Sequence, residues 1–271
     1  MVTLSQQSYI ENLVEHFRLQ GMKTYMTPLT PGMILTKDQC PKTPAEVQDM
    51  AGSWYRELIG SLQYASLTTH LDITYAVNKL SQFLANPGHA HLSAALWVLS
   101  YLKGMKERCL HLGGGIPNIA GFSDSDWGSD HDNCKSTSAY VFCLRLRAVS
   151  WKLKKQTLVA LSSVESEYMA MCQVAKEAVW LSGLLEDLGI ELGSLLIIYG
   201  DNQGALALAQ NPDTHLRSKH IDIQYHFTWD LVCAGWIAVK YIPTKLMITD
   251  ALMKPLPQPQ FSILVEVMGV Y

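Results

Sequence analysis

Short apolar runs alternate with longer amphipathic runs in the second half of the sequence, and this alternation limits the folds open to the chain. The strand-like runs are NIAGFSDSDW, SAYVFCL, AVSWKL, LLIIYG and WIAVKYI. The helix-like runs cover Ser163 to about Leu188, about Asn202 to Gln210, and about Ser218 to Cys233. Three strands, a helix, a strand, two helices and a strand predict an α/β fold, with a mixed sheet and helices against its faces.

The first part of the chain has a different pattern, in which helices are predicted and strands are not. Apolar residues at helical spacing predict a helix over residues 4–18, and YRELIGSLQYASLTT and HLSAALWVLSYLKG predict two more. The stretch between the first of these helices and the other two, TPLTPGMILTKDQCPKTPAE, is typical of a loop. We therefore predict a mainly helical segment over residues 1–112, a sheet domain over residues 113–257 and a C-terminal tail over residues 258–271.

Composition excludes some classes of protein. No apolar run reaches about eighteen residues, so no transmembrane helix is expected, and the N-terminus lacks the pattern of a secretory signal. The six cysteines show no CxxC spacing, which argues against a zinc ribbon or a disulfide scaffold. We expect an intracellular protein, cytoplasmic or nuclear and not secreted, with no membrane partner. The net charge of −3 means that any nucleic-acid binding must come from local patches.

Asp201 directly follows the apolar run LLIIYG and directly precedes a helix. Burying a carboxylate is costly unless it is paired or bound to a metal. Asp is also a favoured helix N-cap, so the residue either caps the helix that follows or holds a cation. This stretch alone favours neither interpretation.

The long helix separates the roles of Glu165 and Glu167. Ser162 followed by Glu165 fits a capping box, which gives Glu165 a structural role. Steps of four and three from Glu167 meet only apolar residues: Met171, Val174, Ala178, Leu181 and Leu185. Glu167 therefore begins the face that should pack on the sheet, and we interpret it as a metal ligand, although a first-turn Glu also favours the helix dipole.

Further acids complete the pattern. Asp124 and Asp126 end the first strand and share one face, so periodicity cannot choose between them. Asp250 begins a final short helix, where it or Thr249 could serve as a cap. Hard oxygen ligands of this kind suit Mg²⁺ or Mn²⁺, and two such ions can hydrolyse a phosphodiester.

Five longer stretches carry a family resemblance. GFSDSDWGSDHDNCKSTSAYVF, AVSWKLKKQTLVALSSVESEYMA, YGDNQGALALAQNP, RSKHIDIQYHF and YIPTKLMITDALMKPLP resemble, in this order, the ribonuclease H domain of Ty1/copia-type retrotransposon Pol polyproteins. The upstream residues resemble the end of the reverse transcriptase in the same polyproteins. The resemblance implies a ribonuclease H-like mixed five-stranded sheet with flanking helices, preceded by a smaller helical segment.

The resemblance also implies an activity and partners. It implies hydrolysis of the RNA strand of an RNA/DNA hybrid by two Mg²⁺ or Mn²⁺ ions, with Asp124, Glu167, Asp201 and Asp250 as metal ligands, and it selects Asp124 over Asp126. A reverse transcriptase upstream in the parent polyprotein would be the second partner. The paired aspartates of the polymerase do not occur in this sequence, so we expect no DNA synthesis.

Basic and polar residues near these acids are candidates for nucleic-acid contacts. Lys152 and Lys154 share one face of their strand, and basic side chains beside an active site can follow a phosphate backbone. A solvated strand face explains the same two residues equally well. The full set of candidates is Lys152, Lys154, Lys155, Asn202, Gln203, Lys219 and His220.

The sequence departs from the family pattern at the hairpin before AVSW. Arg145, Leu146 and Arg147 stand where relatives have glycines, which readily supply the positive φ of a tight turn, so we expect a looser or reshaped turn. His131, Cys134, Gln224 and Trp229 also stand where the resemblance implies arginine. These departures motivate an alternative: a catalytically decayed retrotransposon remnant that at most binds nucleic acid or a partner. A DNA nuclease of the integrase or resolvase type on the same fold is a third hypothesis.

Overall fold

The computed structural model describes residues 2–113, 118–145, 147–190, 195–211 and 222–271. These residues form two compact units. The helical unit comprises Val2–His111 together with Lys254–Tyr271, and the sheet unit comprises Leu112–Met253. Among the described residues, no helix combines the length and the apolar character that crossing a membrane requires.

The helical unit consists mainly of short helices. They are α1 (Gln7–His16), α2 (Pro44–Ala51), α3 (Tyr55–Thr68), α4 (Thr74–Ser81) and α5 (His89–Gly104). Fully buried Tyr55, Leu62 and Leu99 belong to its core. Helix α2 begins in the last three residues of the stretch that is predicted to be a loop. It begins there because Pro44 stands in its first turn, while Thr43 and Glu46 form a capping box.

The chain returns to the helical unit at its C-terminal end. Helix α10 (Gln258–Val267) lies in the segment expected as a tail, and its Phe261 is buried against Tyr101 of α5. A two-stranded sheet pairs β1 (Val2–Leu4) with β2 (Leu110–Leu112). The backbones of Cys109 and Tyr271 exchange hydrogen bonds of 3.1 and 3.2 Å. The last residues are thus integrated into the first unit by apolar burial and backbone pairing.

The sheet unit contains a mixed five-stranded sheet. Its strands are β3 (Ile119–Asp126), β4 (Thr137–Leu144), β5 (Arg147–Lys155), β6 (Leu196–Gly200) and β7 (Ile237–Tyr241). They lie in the order β5-β4-β3-β6-β7. The β5–β4 and β4–β3 pairs are antiparallel, and the β3–β6 and β6–β7 pairs are parallel. The predicted mixed five-stranded sheet with flanking helices is confirmed.

Helix α6 (Ser163–Asp187) supplies much of the core that covers the sheet. The apolar row that follows Glu167 is confirmed as its packing face, because Met171, Val174 and Ala178 belong to the buried core. Burial extends beyond this row, however, and Cys172 is also fully buried. The reason is that α6 also contacts α7 (Gln203–Gln210) and α8 (Asp222–Cys233).

The β4–β5 hairpin closes between Leu144 and Arg147, which pair with each other, and Arg145 takes a φ of 58°. Leu146 lies outside the described residues, so the expected looser or reshaped turn stays a prediction. The hairpin is at the Ile119 end of β3, because Ile119 pairs with Leu144. Asp124 lies five residues further along β3, about 16 Å away at about 3.3 Å per residue.

Candidate active site

Three acidic side chains meet at one edge of the sheet. Parallel strands β3 and β6 pair Phe122 with Tyr199, so the register two residues further on brings Asp124 level with Asp201. Helix α6 begins close to this edge, and Glu167 lies in its second turn. One carboxylate oxygen from each of Asp124, Glu167 and Asp201 lies within 4.8 Å of the others. Thus β3, β6 and α6 each contribute one acid to this group, which we call the acid cluster.

The electrostatics of the acid cluster favour a proton or a cation. Asp124 and Glu167 are buried, and Asp201 is half-buried. Burial raises the pKa of Glu167 most, and the neighbouring charges of Asp124 and Asp201 raise it further, to about 9. Hydrogen bonds from the backbone and side chain of Ser125 act in the opposite direction. A divalent cation would replace this proton and remove the mutual repulsion of the carboxylates.

Asp201 does not cap the helix that follows it. Asn202 is the N-cap of α7, and its Oδ1 accepts a hydrogen bond of 3.1 Å from the backbone N–H of Ala205. Asp201 Oδ2 instead accepts a hydrogen bond of 2.7 Å from the hydroxyl of Thr244. The capping interpretation of Asp201 is therefore wrong, because the next residue, Asn202, caps the helix.

Two other acids have structural partners. The Ser162 side chain caps α6 through the N–H of Glu165, and Glu165 Oε2 accepts a hydrogen bond of 2.8 Å from the N–H of Leu161. Asp126 Oδ1 accepts a hydrogen bond of 2.6 Å from the N–H of Thr137 at the start of β4. These bonds give Glu165 and Asp126 structural roles and distinguish them from the acids of the cluster. On β3, periodicity alone does not distinguish Asp126 from Asp124.

Asp250 lies outside the acid cluster. It is buried at the first position of α9 (Asp250–Met253), a helix that contacts β3 and β4. The group of carboxylates within 4.8 Å does not include it. The structure therefore brings together three of the four acids expected as metal ligands.

The expected nucleic-acid contacts fall into separate groups. Lys152 and Lys154 are exposed on β5, whereas Lys155 forms an ion pair with the buried carboxylate of Asp130. Asn202 serves as the cap of α7, and Gln203 is exposed at its first position. Lys219 and His220 lie outside the described residues. Only Lys152, Lys154 and Gln203 thus combine exposure with no structural role among the described contacts.

One residue that holds an acid of the cluster is not indicated by the sequence. Thr244 hydrogen-bonds Asp201. Thr244 follows β7 by a few residues, so the parallel pairing of β6 and β7 brings it to the end of β6. A sequence pattern gives no sign of this contact, because it joins elements far apart along the chain.

The ligand set of the acid cluster fits a hard divalent cation. All three candidate groups are carboxylates, which suit Mg²⁺ and Mn²⁺ rather than softer metals. The raised pKa of Glu167 fits the same conclusion, because burial and then the neighbouring carboxylates disfavour its charge in the absence of a cation. The residues present therefore match a magnesium or manganese centre in their chemistry.

The sheet order and the acid cluster define a ribonuclease H-like fold with a candidate metal centre. The chain is 39% identical over 268 residues to the retrovirus-related Pol polyprotein from transposon TNT 1-94 of Nicotiana tabacum, covering 99% of this chain and 20% of that protein. It is 37% identical over 268 residues to the Pol polyprotein from transposon RE1 of Arabidopsis thaliana, covering 98% of this chain and 18% of that protein. The chain belongs to the family of copia/Ty1-type transposon Pol polyproteins.

The chain thus spans about a fifth of the length of these relatives. No family model matches it. A solved structure of LC11-RNase H1 in complex with an RNA/DNA hybrid aligns with 48% of this chain and 88% of its own, at 9% identity and a TM-score of 0.36.

Proposed function

We propose that this chain is a ribonuclease H that hydrolyses the RNA strand of an RNA/DNA hybrid with two Mg²⁺ or Mn²⁺ ions. Asp124, Glu167 and Asp201 would hold the ions, and Asp250 would complete the ligand set. The observation that carries the proposal is the convergence of three carboxylates within 4.8 Å, two of them buried. The membership of the Pol family supports the choice of substrate.

Each acid has a separate part in this proposal. Asp124 on β3 and Asp201 after β6 would approach the metals from neighbouring strand ends, while Glu167 would approach from α6. Thr244 orients the Asp201 carboxylate through its hydroxyl. The bound ions would activate a water molecule and stabilise the leaving oxygen of the phosphodiester. The role of the protein is to hold the carboxylates close together, and the bound cations would keep them deprotonated.

Lys152 and Lys154 are proposed to contact the phosphate backbone of the hybrid. Two residues apart on β5, their side chains leave the strand on one side and about 6.6 Å apart. Both line a cavity of about 60 Å³, together with Gln156, Thr157 and Gln173 among other residues. Lysine ammonium groups bind phosphates as point charges, so these contacts would add affinity without sequence preference. The neutralised Lys155 is a weaker candidate because Asp130 already holds it.

Cleavage of a strand-labelled RNA/DNA hybrid tests the function. We expect the full chain to cut only the RNA strand in Mg²⁺ or Mn²⁺, and Asp201→Asn or Glu167→Gln to lower the rate by roughly 100-fold or more, since each removes a metal ligand. Glu186→Gln is the matched control, because it makes the same change at an exposed site on the same helix. A folded Asp201→Asn protein with the rate of the parent would refute the assignment.

The same assay separates the two rival functions. A DNA nuclease on this fold would cut a DNA duplex, and it would not be restricted to the RNA strand of the hybrid. A decayed remnant would bind the hybrid without cutting it, in both metals. We expect neither: the three acids are present and converge, which argues against a decayed remnant, and the order of the sequence motifs favours a ribonuclease H over a DNA nuclease. The reverse transcriptase of the parent polyprotein is the proposed partner, as the family's polyproteins imply.

A further inference from the structure

A direct hydrogen bond joins the chain neighbours of two cluster acids. Ser125 follows Asp124 on β3, and Ser166 precedes Glu167 on α6. The Ser166 hydroxyl donates a hydrogen bond of 2.7 Å to the Ser125 hydroxyl. Ser166 is fully buried, so water does not compete for this bond. The bond therefore fixes the strand against the helix one residue away from each acid.

Gln156 supports the far side of Ser166. Its Nε2 donates hydrogen bonds of 2.9 Å to the Ser166 carbonyl and 2.8 Å to the Ser138 hydroxyl. Its backbone N–H donates a bond of 2.8 Å to the Ser136 carbonyl. Ser138 is the cross-strand partner of Ser125. The buried Gln156 side chain therefore links the start of β4 to the first turn of α6.

We propose that Ser125, Ser166 and Gln156 form a positioning clamp that holds β3 against α6, so that Asp124 and Glu167 bind the same divalent cation. This inference rests on the proposed function. The three residues act through Asp124 and Glu167 and are positioning residues rather than catalytic ones. Residues that position metal ligands typically contribute 10- to 100-fold to metal affinity or activity, which makes the effect measurable.

The test is calorimetric titration of the full chain with Mn²⁺ alone, together with steady-state cleavage of the hybrid. Ser125→Ala and Ser166→Ala should each weaken Mn²⁺ binding by roughly 10-fold. Ser123→Ala is the matched control: Ser123 lies two residues from Ser125 on β3, and its buried hydroxyl has no hydrogen-bond partner among the described residues. Ser125→Thr keeps the hydroxyl and should restore binding. In cleavage, Ser125→Ala should lower kcat and leave KM unchanged, because the clamp does not touch the hybrid.

The possible outcomes separate the clamp from the proposed function. If Ser125→Ala binds Mn²⁺ as tightly as Ser123→Ala while the parent binds more tightly than Asp201→Asn, the clamp is wrong and the metal centre stands. If the parent binds Mn²⁺ no better than Asp201→Asn, the proposed function fails and the clamp fails with it. Ser125 is only half-buried, so its two variants decide the question even if Ser166→Ala does not fold.

Discussion

The helical unit and the sheet unit each bury a carboxylate, with opposite electrostatic results. In the helical unit, His70 Nδ1 lies 3.3 Å from Asp72 Oδ1, and Tyr101 donates a hydrogen bond of 2.6 Å to Asp72 Oδ2. Burial raises the pKa of Asp72, but His70, Tyr101 and Arg108 outweigh it, so the net pKa is lowered. In the sheet unit, burial and two neighbouring carboxylates raise the pKa of Glu167 to about 9.

The difference distinguishes a structural acid from a candidate metal ligand. Asp72 receives its countercharge and hydrogen bonds from the same unit, as a buried acid in a finished core must. The neighbouring charges at Glu167 are mainly those of other acids. Such a cluster of like charges destabilises the folded protein unless a cation binds there. Burial of an acid is therefore no sign of function by itself. The sign of the neighbouring charges separates the two sites.

The largest expected effect is a pH dependence of stability in the metal-free protein. The folded pKa of Glu167 is about 9, against an ordinary value of 4.5. Below pH 4.5 both the folded and the unfolded chain hold this proton. Between pH 4.5 and 9 the folded chain holds a proton that the unfolded chain releases, so the free energy of unfolding should fall as the pH rises. The slope should reach up to about 1.4 kcal/mol per pH unit.

Urea unfolding from pH 5 to 9 in EDTA measures this slope. Glu167→Gln should flatten the curve, and Glu186→Gln should leave it unchanged. Saturating Mg²⁺ or Mn²⁺ should also reduce the fall, because the cation binds the deprotonated cluster. The lowered pKa of Asp72 contributes with the opposite sign: its stabilisation is present above its ordinary pKa of 3.8 and is lost at lower pH. A parent slope that persists in Glu167→Gln would contradict the contrast between the sites.

The second effect is a loss of stability on neutralising Asp72. Asp72→Asn should lower the free energy of unfolding by about 3 kcal/mol, because it removes the buried carboxylate charge that His70, Tyr101 and Arg108 stabilise. Asp49→Asn is the matched control, since Asp49 forms an exposed ion pair of 2.7 Å with His89 in the same unit. An exposed pair contributes about 0–1 kcal/mol. Equal losses in the two variants would show that the buried network adds nothing beyond an exposed pair.

The sequence predicted the features that depend on local periodicity. The apolar row after Glu167 repeats with the period of a helix, so the packing face of α6 and the direction of Glu167 could be read from it. The strand-end position of Asp201 follows from the apolar run before it. These signals are local because each element has to bury one face whatever its neighbours are.

Features that depend on distant partners could not be predicted in this way. The side chains of Asp124 and Asp126 lie on the same face of β3, so periodicity cannot distinguish their roles. The difference is that Asp126 accepts a hydrogen bond from the N–H of Thr137 across the β3–β4 pair. Helix α10 in the expected tail depends on Tyr101, far earlier in the chain. The Ser125–Ser166 bond likewise joins residues that no periodic pattern relates. Tertiary partners decide these roles.

The smallest expected effect comes from the backbone of the β4–β5 hairpin, where strain rather than charge is involved. Arg145 has a φ of 58°, a left-handed conformation that costs a residue with a Cβ roughly 1–2 kcal/mol and costs glycine little. Its N–H donates a hydrogen bond of 3.0 Å to Asn118, which glycine would keep. Arg145→Gly should therefore raise the free energy of unfolding by about 0.5 kcal/mol, after allowing for the greater freedom of glycine in the unfolded chain.

The control is Arg147→Gly, two residues away on β5. It should lower the free energy of unfolding instead, because glycine weakens a strand interior. Both should leave the cleavage rate unchanged, since the hairpin lies about 16 Å along β3 from Asp124. Cleavage that appears only after Arg145→Gly would show that this distant turn, and not the acid cluster alone, decides whether the chain is active.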